Sequence, residues 1–255
     1  MSVAYSYSDI AKMIDHSLLN PALTVPELEA GCQLALLYDV ASVCILPYYA
    51  ARCAALLAGS TVQPSTTIGF PHGGHTTAVK LAEVQQALHD GATELDMVIN
   101  ISQARSGQWK YVEREIRLLA DTTHAAGAKI KVIFENAYHD DSAKIRLCEI
   151  CGGIGVDWVK TSTGYGFVKT ASGDYNYLGA TDAHLTLMRQ HCGAGVQIKA
   201  AGGVRTLDDL LRVRALGVTR VGATATEAIL AAAIKRGLPG PIPVGLAGLT
   251  VGTTA

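Results

Sequence analysis

The sequence predicts an α/β protein built as a single (β/α)8 TIM barrel over residues 1–255, with a short N-terminal helical leader. Short apolar, β-branched runs alternate eight times with longer segments of helical period. The runs are almost continuously apolar, which is typical of a parallel sheet covered by helices on its outer face. A doubly wound open sheet would fit the alternation too, but eight units in 255 residues favour the closed barrel, which usually takes about 250.

The predicted elements follow one another in regular order along the chain. Three of the helices are followed at once by a glycine (Gly91, Gly127 and Gly217), a residue that ends helices and starts a short loop. The predicted strands are 13–16, 42–46, 66–70, 94–99, 129–134, 156–160, 196–199 and 219–222. The predicted helices are 25–38, 48–57, 77–90, 109–126, 142–151, 181–190, 207–216 and 226–236.

The composition limits the classes of function. Charged residues make up 17% of the chain and the formal net charge is -1, unlike the strongly basic balance of proteins that bind nucleic acids or acidic membranes. No apolar stretch reaches the roughly 18 residues needed to span a bilayer, and the polar start lacks the basic-then-apolar layout of a signal peptide. We therefore expect a soluble cytoplasmic protein with no nucleic-acid or membrane partner.

The six cysteines are too sparse for a disulfide framework in a chain of this length, which indicates a reducing compartment. Cys148 and Cys151 form a CxxC, a spacing also found at redox and metal sites. The pair lies in an amphipathic segment, where residues three apart share a helix face, and no second CxxC completes a zinc site. We interpret both as core residues.

Ionisable residues stand at the ends of several predicted strands, where a barrel builds its active site. Lys160 and Lys199 each end an apolar strand, and Asp96 interrupts another. Burial lowers the pKa of a lysine, and a second cation nearby helps to keep its amine neutral and nucleophilic. Because neighbouring strands lie about 5 Å apart, the two lysines are expected to interact.

Each of these residues also has an ordinary structural explanation. A strand-end lysine can extend its ammonium to water, and Asp96 could be the buried ion-pair partner of a lysine, a contact that a proton relay also needs. The occurrence of all three at one end of one barrel favours a lysine-dependent site. Glu94 shares a face with Asp96 but lies lower in the barrel, and we interpret it as structural.

Small residues mark a candidate phosphate site. Gly202 and Gly203 follow the seventh predicted strand, and Gly222 and Thr224 close the eighth, each time just before a helix. Glycine lets the backbone approach an anion closely, and exposed N–H groups at a helix start bind it. The loops after strands seven and eight are the recurrent phosphate site of this fold. Neither a Walker A pattern nor a nucleotide-binding GxGxxG after a strand is present.

Several motifs together resemble the 2-deoxyribose-5-phosphate aldolase family. The three most specific are VKTSTG at 159–164, ELDMVIN at 94–100 and KAAGGVRT at 199–206. Supporting stretches are IDHSLL at 14–19, VCILP at 43–47, GFPHG at 69–73 and KVIFE at 131–135. They occur in the order typical of the family and cover nearly the whole chain.

The resemblance implies a class I aldolase that reversibly joins acetaldehyde to glyceraldehyde 3-phosphate, giving 2-deoxyribose 5-phosphate. No metal or organic cofactor is implied, because the iminium serves as the electron sink. Lys160 matches the Schiff-base lysine, Lys199 the second lysine that perturbs it, and Asp96 the acid that shares in proton transfer. The matched substrate-binding residues are Asp15 near the sugar hydroxyls, Cys44 and Thr163 at the pocket, and Gly164, Gly202, Gly203, Gly222 and Thr224 around the phosphate. The expected partners are small aldehydes and sugar phosphates, and the general prior for such enzymes is a homo-oligomer, a dimer or tetramer.

The chain departs from the family pattern in three places. Ala200 stands where the family has a proline, and Ala225 replaces one of a pair of small serines. Residues 165–179 are longer than the usual connection, and we predict a small hairpin around 172–174 that overhangs the pocket or extends a subunit contact. The longer connection bears more on the choice of substrate than on the type of reaction.

Three other functions stay open at this point. The chain could be a related Schiff-base lyase with a different aldehyde acceptor, even an unphosphorylated one. It could be a phosphosugar isomerase or synthase that uses Asp96 and Glu135 as an acid-base pair without an imine. It could also be a catalytically silent barrel that binds phosphorylated ligands, although two buried lysines without chemistry would cost stability.

Overall fold

The computed structural model describes residues 5–169, 171–177 and 179–249, and it contains a closed barrel of eight parallel strands. The predicted (β/α)8 barrel is confirmed. The barrel strands are β1 Ile14–Leu18, β2 Ser42–Ile45, β3 Gln63–Ile68, β4 Glu94–Val98, β5 Lys129–Ile133, β6 Trp158–Lys160, β9 Gln197–Ala201 and β10 Arg220–Ala223. Two further strands, β7 Phe167–Lys169 and β8 Tyr175–Tyr177, pair with each other outside the barrel.

Helices connect the strands as the periodicity predicts, and one further short helix, at residues 101–105, was not predicted. They are α1 Tyr7–Ala11, α2 Val25–Leu37, α3 Ala50–Leu57, α4 Thr77–His89, α5 Ile101–Arg105, α6 Trp109–Ala125, α7 Asp141–Ile154, α8 Asp182–His191, α9 Leu207–Ala215 and α10 Thr226–Lys235. The leader helix α1 is held at its start by a capping box between Ser6 and Asp9. Among these helices, none in the described part of the chain is long and apolar enough to cross a membrane.

All eight barrel strands differ from their predicted limits by one to three residues at one end or both, as the first and third strands illustrate. The first was expected at 13–16 and instead ends two residues later, at Leu18. The third was expected at 66–70 but covers Gln63–Ile68. Pro64 is tolerated near the start of that strand because its carbonyl still accepts a hydrogen bond from the Thr93 N–H, at 2.9 Å. Gly69, with a φ of +63°, turns the chain out of the sheet.

Alternation along the strands separates two sets of side chains. Leu95, Met97 and Val132 belong to the buried apolar core that packs under the helices. The residues between them carry charge and contact one another inside the barrel. The parallel register brings Lys160 beside Lys199, and Asp96 beside Lys131. Because of this two-residue period, β4, β5, β6 and β9 each carry buried charge on the inside of the barrel.

The long connection after β6 folds into the predicted small hairpin. β7 and β8 are antiparallel, with Phe167 opposite Tyr177 and Lys169 opposite Tyr175. The turn between them includes Gly173, which has a φ of +94°. The prediction of a hairpin in this segment is confirmed, and it follows directly on the strand that ends at Lys160.

The CxxC lies in the core. Cys148 and Cys151 are on α7 and both are fully buried. The pKa of Cys148 is raised by its contact with Cys192 and by burial, and the pKa of Cys151 is raised by burial. The interpretation of this pair as core residues is confirmed. All six cysteines are free thiols.

Candidate active site

A network of seven charged side chains fills the barrel beneath the carboxyl ends of the strands. Each of them is nearly inaccessible to solvent, with at most 11% of the side chain exposed. The cationic members are Lys131, Lys160, Lys199 and Arg220, and the anionic members are Asp15, Glu94 and Asp96.

Lys160 ends β6 and lies at the edge of this network. Its Nζ atom is 2.7 Å from Oδ2 of Asp96. Burial lowers the pKa of Lys160, and the positive charge of Lys199 lowers it further, against the opposing effect of Asp96. A lysine in this setting has a neutral, nucleophilic amine more readily than a lysine in water.

The pKa of Lys199 is shifted in the opposite direction to that of Lys160. Its Nζ contacts Asp15 at 2.5 Å and Oδ2 of Asp96 at 2.7 Å. Burial alone would favour the neutral amine, but the two carboxylates outweigh it and raise the pKa of Lys199. Lys199 therefore remains an ammonium beside Lys160, which is the arrangement that the sequence predicts for the pair.

Asp96 joins three lysines. Oδ1 accepts from Lys131 at 2.9 Å, while Oδ2 accepts from both Lys160 and Lys199. Burial would raise the pKa of Asp96, but the three ammonium groups hold it far below its usual range. Asp96 is thus an ionised carboxylate that fixes the positions of both strand-end lysines.

Charge counting identifies the most weakly held proton of the network. Four cations face three carboxylates, so the fully charged network carries one excess positive charge. Loss of one proton leaves three charges of each sign. The pKa values of Lys131 and Lys199 are raised, and only that of Lys160 is lowered among the three lysines. Lys160 is the group whose deprotonation balances the interior.

Sequence reasoning missed two members of the network, Lys131 and Arg220. Lys131 lies between Glu94 at 2.6 Å and Asp96, and Arg220 binds Glu94 and Asp15. Neither lies at the carboxyl end of its strand, where the barrel fold predicts site residues: Lys131 is in the middle of β5, and Arg220 begins β10. The alternation of Lys129, Ile130, Lys131 and Val132 was the available signal. Glu94 joins the network through Lys131 and Arg220.

Asp15 is fully buried at the floor of the site. Its Oδ1 accepts from Arg220 and from the Ser42 hydroxyl, both at 2.6 Å, while Oδ2 faces Lys199. The positive charges of Arg220, Lys131 and Lys199 outweigh burial and hold the pKa of Asp15 well below its usual range. Its carboxylate is therefore already engaged by protein groups.

A cavity of about 550 Å³ opens above the network. Lys160 and Lys199 reach its floor, and Asp96 connects to it through their amines. The predicted substrate-binding residues that line it are Asp15, Cys44, Thr163, Gly164, Gly202, Gly203, Gly222 and Thr224. The structure thus brings every residue of the predicted site to one cavity or to the carboxylate directly behind it.

One end of the cavity consists of glycine-rich turns. Gly202 and Gly203 both have positive φ, +82° and +89°, in the turn between β9 and α9. The turn after β10 leads into α10, where Ala225 offers no side-chain cap to the first N–H groups. Arg205, which the sequence analysis did not single out, also lines this end. These features suit an anionic group.

The walls of the cavity include groups of different chemistry. The Cys44 thiol is buried, and burial with the charge of Asp96 raises its pKa to about 11, so it stays protonated. Thr163 is fixed by Glu135, whose Oε2 accepts from both its N–H and its hydroxyl. Tyr165 and Tyr177, from the long connection, complete the wall. Of these, Tyr165 and Tyr177 were not predicted as site residues.

Comparison with known proteins gives a consistent result. Residues 10–234 match the family described as DeoC/LacD family aldolase. A deoxyribose-phosphate aldolase of Rhodopirellula baltica is 61% identical over 92% of this chain and 94% of its own length. One from Caldanaerobacter subterraneus subsp. tengcongensis is 40% identical over 91% of this chain and 97% of its own.

Solved structures agree with this assignment. The tetrameric deoxyribose phosphate aldolase of Aeropyrum pernix has a TM-score of 0.78 and 28% identity, over 88% of this chain and 91% of its own. With the barrel, the buried lysine pair and the family match covering the same residues, the chain belongs to the DeoC/LacD family of aldolases.

Proposed function

We propose that the protein is a deoxyribose-phosphate aldolase that reversibly cleaves 2-deoxyribose 5-phosphate into acetaldehyde and glyceraldehyde 3-phosphate through a Schiff base on Lys160. The observation that carries the proposal is the position of Lys160. Its amine has a lowered pKa and lies at the floor of a cavity whose far end is lined by glycine-rich turns. The named activity of the two bacterial relatives supports the same substrate.

The reaction begins with the neutral amine of Lys160. It attacks the aldehyde carbon C1 of the open-chain sugar, and loss of water gives an iminium. Removal of the proton from the C3 hydroxyl then breaks the C2–C3 bond, whose electron pair moves toward the iminium. This step forms an enamine and releases glyceraldehyde 3-phosphate. Protonation of the enamine at C2, followed by hydrolysis, releases acetaldehyde and restores Lys160.

Lys199 and Asp96 are the proposed proton-transfer pair. The raised pKa of Lys199 makes it an ammonium that can donate a proton to the departing hydroxyl. Its amine, now neutral, accepts the proton of the C3 hydroxyl as the C2–C3 bond breaks and then donates that proton to C2 of the enamine. Asp96 remains a carboxylate and holds both amines 2.7 Å away. Asp15 acts on the substrate chiefly through Lys199, because its oxygens are engaged by Arg220, Ser42 and Lys199. We assign no chemical step to Cys44.

The phosphate of the substrate is proposed to bind at the glycine-rich end of the cavity. Gly164, Gly202, Gly203, Gly222 and Thr224 surround this end. The turns offer backbone N–H groups to the phosphate oxygens, and Arg205 adds a positive charge. A phosphate held there leaves the aldehyde end of a five-carbon sugar directed toward Lys160.

We further propose that the enzyme is a cytoplasmic homo-oligomer. Six free thiols in one chain suit a reducing compartment. The Aeropyrum pernix relative is a tetramer. Light scattering after size-exclusion chromatography tests the assembly, and a monomer at micromolar concentration would contradict it.

Trapping of the imine tests the proposed function. The purified protein is incubated with 2-deoxyribose 5-phosphate, reduced with borohydride, digested, and analysed by peptide mass spectrometry. We expect an adduct on Lys160 and release of glyceraldehyde 3-phosphate in a coupled assay. If folded protein gives no adduct, acetaldehyde alone is tried next. An adduct with acetaldehyde only would indicate a different acceptor, and none with either would contradict the aldolase mechanism.

A further inference from the structure

We propose that Tyr177, supplied by the β7–β8 hairpin, is a positioning residue that fixes the glycine turn at the phosphate end of the cavity and so determines the preference for phosphorylated substrates. The inference deepens the proposed function and rests on it. It assigns a role to the long connection after β6, in which the hairpin brings one aromatic side chain into the wall of the site.

The Tyr177 hydroxyl is wedged between two turns of the site. It lies directly over Gly202, where an added Cβ would overlap it, and 4.0 Å from the Cβ position of Gly164. Ser162 lies beside it and donates from its own hydroxyl to the Ala201 carbonyl at 2.6 Å. One phenol therefore contacts both the turn after β6 and the turn after β9.

The chain just after Tyr177 contacts the same turn. The N–H of Ala180 donates to the carbonyls of Ala201 and Gly202, both at 3.1 Å. The Cβ position of Gly179 would be 2.6 Å from the Gly202 carbonyl oxygen. The hairpin and its exit thus cover one side of Gly202, whose positive φ leaves the backbone free to face the cavity on the other side.

This geometry separates binding of the phosphate from the chemistry at Lys160. Tyr177 contacts the turns at the anion end, whereas the amine of Lys160 is held by Asp96 from below. A loosened Gly202 turn would present its N–H groups poorly to a phosphate, because such contacts lose strength steeply with misalignment. The formation of an imine with a small aldehyde would not depend on that turn.

The hairpin itself offers a matched control. Tyr175 stands two residues before Tyr177 on the same strand, opposite Lys169, and 67% of it is exposed. Replacing Tyr175 removes an equal aromatic ring from the hairpin without touching the turns. A general effect of disturbing the hairpin would appear in both sets of variants.

The experiment compares Tyr177→Phe, Tyr177→Ala and Tyr175→Ala with the wild type. The kcat and KM for 2-deoxyribose 5-phosphate and for 2-deoxyribose are measured, with calorimetric binding of inorganic phosphate and borohydride trapping of acetaldehyde. For Tyr177→Ala, which removes the ring and the hydroxyl that lie over Gly202, we expect KM for the phosphorylated sugar and Kd for phosphate to rise roughly fivefold or more. For Tyr177→Phe we expect a smaller rise, because the hydroxyl has no hydrogen-bond partner among the described residues. The kcat should change less than KM, and the acetaldehyde adduct on Lys160 should still form, because imine formation does not depend on the Gly202 turn.

Two results would overturn the inference. One is an unchanged ratio of kcat/KM between the two sugars in both Tyr177 variants. The other is an equal loss in Tyr175→Ala, which would assign the effect to the hairpin as a whole. Failure of the proposed function would appear separately, as a wild type that neither cleaves the phosphorylated sugar nor forms an adduct. Calorimetry with inorganic phosphate still decides the role of Tyr177 in that case, and a wild type that binds no phosphate counts against it.

Discussion

Lys160 and Lys199 donate to the same oxygen atom, Oδ2 of Asp96, each over 2.7 Å. Two ammonium groups at one oxygen repel each other, and burial removes the water that would screen them. Because Lys199 has a second carboxylate in Asp15, the repulsion is relieved by loss of the proton from Lys160. The shared oxygen therefore makes one lysine the nucleophile and the other the lasting cation.

Replacement of Lys160 tests the first of these roles. We expect Lys160→Ala to lower turnover by on the order of a thousandfold or more, because no other group can form the imine. The fold should remain, since the variant leaves three cations facing three carboxylates. Turnover and borohydride trapping are measured together with circular dichroism. Near-normal turnover in folded Lys160→Ala would remove the central claim.

Replacement of Lys199 tests the second role. In Lys199→Leu the neighbouring cation is lost while Asp96 remains, so the pKa of Lys160 should rise. Since the neutral amine is the reactive form, the rate of imine formation should then begin to climb at higher pH than in the wild type. Lys199→Arg retains the positive charge and is the matched control. The pH dependence of acetaldehyde trapping measures the shift, and superimposable profiles for Lys199→Leu and the wild type would refute the electrostatic role.

Lys131 has more carboxylate partners than Lys160, and their replacements should therefore affect stability unequally. Lys131→Met leaves Glu94 and Asp96 without their 2.6 and 2.9 Å partner, and breaking such buried pairs typically costs about 3–5 kcal/mol. Lys160→Met removes a lysine that has a lowered pKa and only Asp96 as carboxylate partner in the network, and it should cost less than about 1 kcal/mol. Urea unfolding at neutral pH measures both free energies of unfolding. If Lys131→Met and Lys160→Met lose the same stability, the excess positive charge of the network is balanced by a group outside it.

Much of the barrel and the central part of the site could be predicted from the sequence. Lys160 and Lys199 could be predicted as site residues because each stands toward the carboxyl end of a parallel strand, and these ends meet at one edge of the barrel. It does not reach Lys131, which lies within β5 and enters the network only through its register opposite Asp96. Register depends on the packing of the whole barrel, and no single strand determines it.

The contribution of the hairpin to the site could not be predicted from the sequence either. The turn around Gly173 could be predicted from local residue preferences, but the position of Tyr177 could not. Its hydroxyl contacts Gly202, which belongs to the turn after β9 and lies about 25 positions further along the chain. Such a contact depends on how a loop folds back on the barrel, and no periodicity in the sequence encodes that direction.

The last prediction concerns Glu135, which holds the turn after Lys160 in place. Glu135 is buried, has a φ of +56°, and accepts from the N–H of Thr163 at 2.9 Å. Burial raises its pKa, although the hydrogen bonds from Thr163 and the charge of Lys160 oppose that effect. A carboxyl group with a raised pKa binds its proton more tightly in the folded chain than in the unfolded one. Its contribution to stability is thus fully present below the ordinary glutamate pKa of about 4.3 and is lost as the pH rises through the folded value.

Glu135→Gln cannot ionise, yet it keeps a carbonyl oxygen for the Thr163 N–H. We therefore expect the free energy of unfolding of Glu135→Gln, relative to that of the wild type, to increase between pH 4 and pH 8. The test concerns this trend, and the difference between the two proteins at pH 4 can have either sign. Urea unfolding across this range measures the trend, and Glu149→Gln, an exposed position on α7, controls for the loss of one acidic side chain. A relative stability that stays constant or falls with pH would mean that the Thr163 hydrogen bonds outweigh burial and that Glu135 is bound as the carboxylate.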